Sequence, residues 1–376
     1  MTRLVRVLFV AAPFKHAFFL KMIEHFSEDV ESMVIVPSYP HISAERARAT
    51  AMEKATGIVF GDKQIESAIS KFRPDVAYAD SGLYGSQVKM RQHVAKWRIP
   101  TIVHLRGDMW REFFEWMTRS PVKTRLASLP VYANSMLGLL LADKITPICR
   151  WLDGEVLRHL PWKSTEVVYQ GVDPSEFFQT PSMDLMHPSV TIIQNHTVYQ
   201  KTLGLLKFRR VIERLPDVHF YVTTGEEIMQ SYFPLVREAL SGFKNVHFVS
   251  GIRHPDGVRK LLSSSDLYAL PSCLDCCPTT VLEASLMEKP VLGSRIGGIP
   301  EIIRDGYTGW SIQNDDIERW VSKISLLTDD ATLSRKLGLQ GRSWVSENFG
   351  WPRIAAQVET MLKRFQSSIP NEPMTL

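Results

Sequence analysis

Short apolar runs and amphipathic stretches take turns along almost the whole chain, a rhythm that predicts strands alternating with helices. The opening Val5-Arg6-Val7-Leu8-Phe9-Val10-Ala11 reads as a strand buried on both faces from Val7 onward, because such a strand shows a continuous apolar run instead of strict alternation. Residues 18–26 then carry a helical period. Further strands are expected over 32–37, 58–60, 75–79, 100–108 and 144–148, with a polar helical stretch running to 56 and helices over 87–97, 109–117, 131–142 and 151–160. Residues 174–189, rich in proline and polar groups, read as a hinged linker. The rhythm then restarts, with strands over 190–196, 218–225, 245–251, 265–270 and 290–294. Helices are expected over 201–214, 258–262, 317–327, 331–349 and 351–365, and another runs from Thr279 until Pro290 stops it. Two βαβ series predict two α/β domains with parallel sheets, one over residues 1–180 and one over 181–350.

Length and composition fit that division. The chain has 376 residues, 44% of them hydrophobic, enough for two cores. Its formal net charge is +4, and the basic excess lies wholly in residues 1–180. No basic run of five residues occurs, so an anionic substrate or membrane surface suits the chain and a nucleic acid does not. Four cysteines, three of them at 273, 276 and 277, form no disulfide framework and point to a reducing, cytoplasmic setting. Cys273 and Cys276 have a zinc-like spacing, but no second pair follows, so no metal is expected. The apolar start is interrupted by Arg6 and reads as a buried strand, not a signal sequence. No uninterrupted 18-residue apolar segment follows it.

Candidate chemistry concentrates in residues 271–310. A strand ends at Pro271, a turn follows, and a helix opens at Thr279 and Thr280. The N–H groups of Thr279, Thr280 and Val281 at that helix start would suit a phosphate or diphosphate arriving from the strand's carboxyl end. Asp275 borders this anion pocket, and Glu283 lies about one turn inside the helix, placed to accept hydrogen bonds from sugar hydroxyls. Gly297 and Gly298 would let backbone approach a ligand closely. Two carboxylates and an anion hole suggest a sugar nucleotide. The lack of a G-x-G-x-x-G turn weighs against a dinucleotide dehydrogenase.

Pro271-Ser272, Asp275 and Glu283 with seven residues between, Pro290-Val291, Gly297-Gly298, Pro300-Glu301 and the Asp305-Gly306 to Gly309 end fall in one order over forty residues. In this order they resemble the retaining glycosyltransferases of family 4, of the GT-B fold. That resemblance implies two Rossmann-like domains with parallel sheets facing an interdomain cleft. The first would be an acceptor domain that the 351–366 helix returns to join, and the second a nucleotide-sugar donor domain. It implies transfer of a hexose from a nucleoside diphosphate sugar to a hydroxyl of a glycan, a lipid-linked or a small-molecule acceptor, with retention, and with no metal or cofactor.

The resemblance also assigns residues. Lys201 matches the family's diphosphate lysine, whereas Asn195-His196 replace its Gly-Arg, so His196 would bind the diphosphate and, near phosphate, favour the protonated form. Asp275 replaces a glutamate and would hold the sugar hydroxyls, with Glu283 on the ribose and Gly298 close to the donor. His104 would end a strand facing the donor sugar. Lys15 and Arg106 are acceptor-side candidates, and Glu226-Glu227 would meet a base or ribose, or cap a helix. Trp110, Phe113, Phe114 and Met117 share a helical face near Arg106, Arg111, Arg119, Lys123 and Arg125. That face reads first as core packing, with peripheral contact to a cytoplasmic membrane face as the alternative. Two competitors stand beside this reading: another enzyme on the same architecture, such as a nucleotide-sugar epimerase, and, motivated by the departures at Asp275 and Asn195-His196, a sugar-nucleotide-binding protein that no longer transfers.

Overall fold

A computed structural model describes residues 4–11, 16–36, 57–60, 65–80, 99–119, 122–181, 183–196, 198–224 and 231–368. Lys15, Glu226-Glu227 and the expected 87–97 helix lie outside them. The chain forms two compact units, residues 1–171 with 351–376, and residues 172–350.

In the first unit the described strands are β1 (Val5–Val10), β2 (Val30–Val36), β3 (Gly57–Phe60), β4 (Val76–Asp80), β5 (Thr101–Leu105), β6 (Lys144–Pro147) and β7 (Ser164–Thr165). They lie side by side, all parallel, in the order β3-β2-β1-β4-β5-β6-β7. In β1 only Arg6 is exposed, and its Nε donates to Glu31 at 3.1 Å, while the apolar run is buried as its pattern requires. Phe9, Phe18, Phe19 and Tyr78 pack in one cluster with Trp351, Ile354, Val358 and Met361 of the Trp351–Ser368 helix. Each such side chain contributes about 1.5–3 kcal/mol by leaving water. The terminal helix is also tied by charge: Lys363 Nζ donates to Asp29 at 2.8 Å, and Glu359 accepts from the Ser27 N–H at 3.0 Å.

The second unit repeats the design with β8 (Ser189–Ile192), β9 (His219–Thr223), β10 (Val246–Val249), β11 (Leu267–Leu270), β12 (Val291–Ser294) and β13 (Gly309–Ile312), all parallel, in the order β10-β9-β8-β11-β12-β13. Its core joins Val190, Ile192, Phe208, Phe220, Trp320 and Ile324. The strand order reverses between β8 and β11, and open α/β sheets bind ligands at the carboxyl ends of strands flanking such a reversal. That rule puts Ile193–His196 and the turn after Leu270 at one place.

Two boundaries differ from expectation. Residues 174–180 are bound to the second unit, and the division falls after Gly171. Arg259 Nη1 donates to the Glu176 carbonyl at 2.8 Å, Arg342 Nη1 to the Phe177 carbonyl at 2.9 Å, and the Thr180 N–H to Ser263 Oγ at 3.1 Å. The expected 131–142 helix begins earlier, as Val122–Leu141 with Pro130 inside it.

Glycines give this packing a test. A Cβ on Gly204, in the Tyr199–Glu213 helix, would lie 2.2 Å from the Pro271 carbonyl oxygen, whereas one on Gly154, exposed in the Arg150–His159 helix, would meet nothing within 4 Å. Gly204→Ala should lower the melting temperature, with a cost of about 2 kcal/mol. Gly154→Ala should raise it through helix propensity, by roughly 0.5–1 kcal/mol. Thermal unfolding of both variants checks the opposite signs.

Candidate functional site

The turn that leaves β11 is fixed from three sides. Ser272 N–H donates to Ser294 Oγ at 2.9 Å, Asn314 Nδ2 donates to the Ser272 carbonyl at 2.9 Å, and Cys273 N–H donates to the Gln200 carbonyl at 3.1 Å. On another side Gly297, at φ +53°, comes so close that a Cβ would stand 1.8 Å from the Asp275 carbonyl oxygen, which accepts the Gly298 N–H at 3.2 Å. Only glycine suits both that backbone conformation and that approach. Gly298 thus serves the turn directly.

Held in this way, Asp275 Oδ2 meets Lys201 Nζ at 3.0 Å. Lys201 stands in the first turn of the Tyr199–Glu213 helix, just past the end of β8. The helix Thr279–Leu286 begins on the other side of the turn, with Pro278 at its cap and no side-chain cap hydrogen bond. Thr279 and Thr280 are half-buried, and their N–H groups precede any intrahelical acceptor. Val281 N–H instead donates to the Pro278 carbonyl at 3.2 Å, which removes it from the expected anion hole. Thr280 is held from below, since the Tyr268 hydroxyl lies 2.7 Å from its Oγ1 and 3.1 Å from the Ile193 carbonyl. Burial pushes the Tyr268 phenol far up, so it stays a neutral linker between the ends of β8 and β11.

Glu283 is 4% exposed. Its Oε1 accepts from His254 Nε2 at 3.0 Å, and its Oε2 is buried with no hydrogen-bond partner among the described residues. The hydrogen bond that it donates to Glu283 raises the His254 pKa above its ordinary value, against the burial that would lower it. Sequence reasoning missed His254. Its pairing spans 29 positions and joins a loop to a helix, so no local pattern announces it. Gln194 was also missed: it is 6% exposed at the carboxyl end of β8, and neither atom of its amide has a partner among the described residues.

Two histidines depart from the sequence reading. His196 turns its ring inward, 0% exposed, against Phe233, and Nε2 donates to the Thr223 carbonyl at 3.0 Å. Burial lowers its pKa, so the ring is neutral and faces the protein, not a diphosphate. His104 does end β5, but its imidazole is fully buried, stacked on Phe18 with ring centroids 4.9 Å apart, and Nδ1 lies 3.2 Å from Thr146 Oγ1. The open face expected for His104 is therefore replaced by an aromatic and polar cluster. Arg106 is half-buried, with Nη2 donating to Gln170 at 2.9 Å and its guanidinium 4.7 Å over Phe18.

The cysteines are free thiols, and burial pushes the Cys273 thiol up, which disfavours the thiolate a metal would need. Among the described residues no group of three metal-ligating side chains converges, and no helix is long and apolar enough to cross a membrane.

Residues 196–330 match the family model described as glycosyl transferases group 1. The N-acetyl-alpha-D-glucosaminyl L-malate synthase of Bacillus anthracis is 26% identical over 259 residues, 63% of this chain and 64% of that protein, so the match spans less than two thirds of the relative. Among solved structures, the sucrose-phosphate synthase of Thermosynechococcus elongatus superposes with a TM-score of 0.70 at 14% identity, over 97% of this chain and 100% of that one. The Anabaena HepE in complex with UDP-glucose gives 0.69 at 16%, with coverages of 97% and 100%. The fold is GT-B.

A neutral buried His196 has a consequence for stability. Its folded pKa lies below the ordinary 6.5, so the stability that it contributes is present above pH 6.5 and is lost as the pH falls, when the unfolded chain takes up the proton. His196→Gln should therefore lose less melting temperature than the wild type when the pH drops from about 7.5 to about 5.5. Paired melting curves at the two pH values check it.

Proposed function

We propose, for a chain whose residues 196–330 match the glycosyl transferases group 1 family model, that this protein is a retaining hexosyltransferase using a nucleoside diphosphate sugar. The observation that carries the reading is the convergence at the β8/β11 reversal. Lys201 stands 3.0 Å from Asp275 beside an uncapped helix start, and one helical turn further on Glu283 keeps a buried carboxylate oxygen without a donor. In this reading Lys201 and the N–H groups of Thr279 and Thr280 hold the diphosphate, Asp275 the hexose hydroxyls, and Glu283 Oε2 a ribose hydroxyl. The lysine then exchanges an internal carboxylate for a phosphate, and Asp275 is released to the sugar.

Retention follows from same-face attack. The acceptor oxygen bonds to the anomeric carbon as the carbon–oxygen bond to the diphosphate breaks, and the acceptor's proton passes to the departing phosphate oxygen. The charge that develops on that oxygen is met by Lys201 and by the positive end of the helix, so electrostatic stabilisation carries most of the acceleration and the route calls for no metal or cofactor. His196 and His104 take no part in this chemistry. The acceptor is a hydroxyl of a glycan, a lipid-linked glycan or a small molecule, and the four free cysteines support a cytoplasmic setting. Lys201→Ala and Glu283→Ala should each reduce nucleotide release from the cognate nucleotide sugar by about 10²-fold or more. A panel of UDP- and GDP-hexoses in thermal shift, with UDP-glucose first because the HepE neighbour binds it, identifies the donor. Unchanged nucleotide release in both variants would sink the transferase reading, and donor binding without any transfer or hydrolysis would leave the non-catalytic competitor.

A membrane-associated acceptor is favoured by one observation in the first unit. On the helices Met109–Arg119 and Val122–Leu141, Phe114 is 69% exposed, Trp116 44%, Val122 67% and Leu126 63%, while Glu115 is buried. Trp110 and Phe113 do pack, on His159 and Tyr132, so the expected core face is only half realised. Apolar side chains outside, with exposed Arg111 and Arg119 among them, suit an anionic lipid interface. The protein should float with anionic liposomes at low salt and detach as salt rises, and Phe114→Ser with Trp116→Ser should abolish flotation. Absence of binding at low salt removes the membrane contact.

A further inference from the structure

We infer that His254 is a positioning residue for the nucleotide: its imidazole holds one oxygen of Glu283 so that the other is turned to the ligand's hydroxyl. This rests on the reading of Glu283 given above. A carboxylate on a two-carbon stem can rotate freely about its last bonds, and a buried one with no fixed partner would present either oxygen, or neither, to an incoming group. Here Nε2 of His254, in the loop before the Asp256–Ser264 helix, takes Oε1 at 3.0 Å. Oε2 is left buried and unmatched, an arrangement that costs stability until a donor arrives and so predisposes the site to a hydroxyl. The two side chains differ sharply in exposure, 57% for His254 and 5% for Glu283. The histidine is the part of the pair that solvent and solutes reach.

The surroundings of the ring decide its charge. Glu283 faces it from the Thr279–Leu286 helix, Glu176 from the segment after Gly171, and Arg259 from the Asp256–Ser264 helix, while the Phe177 ring packs 6.1 Å away. The two carboxylates favour the imidazolium and Arg259 opposes it. Arg259 is itself engaged by the Glu176 carbonyl and by Asp256, so the balance leaves the proton on His254 beyond its ordinary range. An imidazolium there balances the Glu283 charge next to a site meant for a diphosphate. Loss of the proton leaves a weaker hydrogen bond to Glu283 and an unbalanced carboxylate facing an anion. Nucleotide affinity should therefore fall as the pH rises through the His254 titration.

The test uses UDP and GDP as probes and follows their dissociation constants by calorimetry on the full chain from about pH 6 to about pH 9. The wild type should bind one of them with a dissociation constant that grows about tenfold across that range, the loss expected for one charge-assisted hydrogen bond. His254→Ala should bind about tenfold more weakly at low pH and show no pH slope. His254→Gln keeps an amide donor without a titrating proton, so it should recover part of the affinity, again with no slope. A residue that served only folding would lower the melting temperature of both variants without flattening the pH profile. Glu283→Gln separates the two claims. If Glu283→Gln weakens binding while His254→Ala keeps wild-type affinity and slope, the positioning role is wrong and the site reading survives. If Glu283→Gln binds like the wild type, or neither nucleotide binds the wild type, the site reading fails and this inference with it.

Discussion

The second unit depends on how little space surrounds the turn from Pro271 to Pro278. One backbone presses on it at Gly204, where a Cβ would come within 2.2 Å, and another at Gly297, where the figure is 1.8 Å. Both glycines are contacts of backbone on backbone, so no rotamer change could relieve a side chain there. This double constraint sets the path of the turn, and the path sets everything polar about it: Asp275 against Lys201, the uncapped start of the Thr279–Leu286 helix, and the depth at which Glu283 enters the protein. A sheet whose strand order reverses between β8 and β11 supplies the place, and the two glycines supply the precision.

Polar burial around that turn divides into two kinds. Ser272, Ser294 and Asn314 close a network in which each group meets another, as a buried framework should. The Glu283 oxygen and the Gln194 amide do not close. They lie past the carboxyl end of β8 and on the helix that follows the β11 turn. Folding alone would select for satisfying such atoms. In the proposed function a ligand at the reversal point would complete them.

Much of this was legible in the sequence, and what was not shares a cause. The two βαβ series and the strand, turn and helix of residues 265–294 were readable because they depend on runs, stops and spacing, whereas Lys201 was picked out by the family resemblance, and the structure brings it to Asp275. The four-residue β13 was not, being too short and too mixed, Gly-Trp-Ser-Ile, to show a period. Side-chain direction was the weaker part. The place of His196 after β8 was visible, but the ring faces Thr223 and Phe233, because the segment past a strand end has no period that fixes its side-chain direction. The Met109–Arg119 helix shows the same limit: its period was right, yet the face that packs includes Glu115 and leaves Phe114 outside. His254 lay beyond any periodic rule, since only the folded chain brings a loop histidine to a helical glutamate.

The neutral His196 changes how charge is distributed over the site. A permanent cation at that position would have shared the diphosphate with Lys201. With the ring buried and uncharged, the positive field near the turn comes from Lys201 and from the helix start, the first partly offset by Asp275 until a ligand separates them. His254, whose pKa its hydrogen bond to Glu283 raises, lies before the Thr279–Leu286 helix in sequence and is bound to that carboxylate instead of standing alone. Lys201 and His254 are thus each paired with a carboxylate. Pairing of this kind lowers the desolvation cost of keeping each charge half-buried, and it means that binding is an exchange of partners. In the proposed reading an anion would draw Lys201 from Asp275 as the sugar's hydroxyls take the aspartate, which would link recognition of the diphosphate to recognition of the sugar through one 3.0 Å contact.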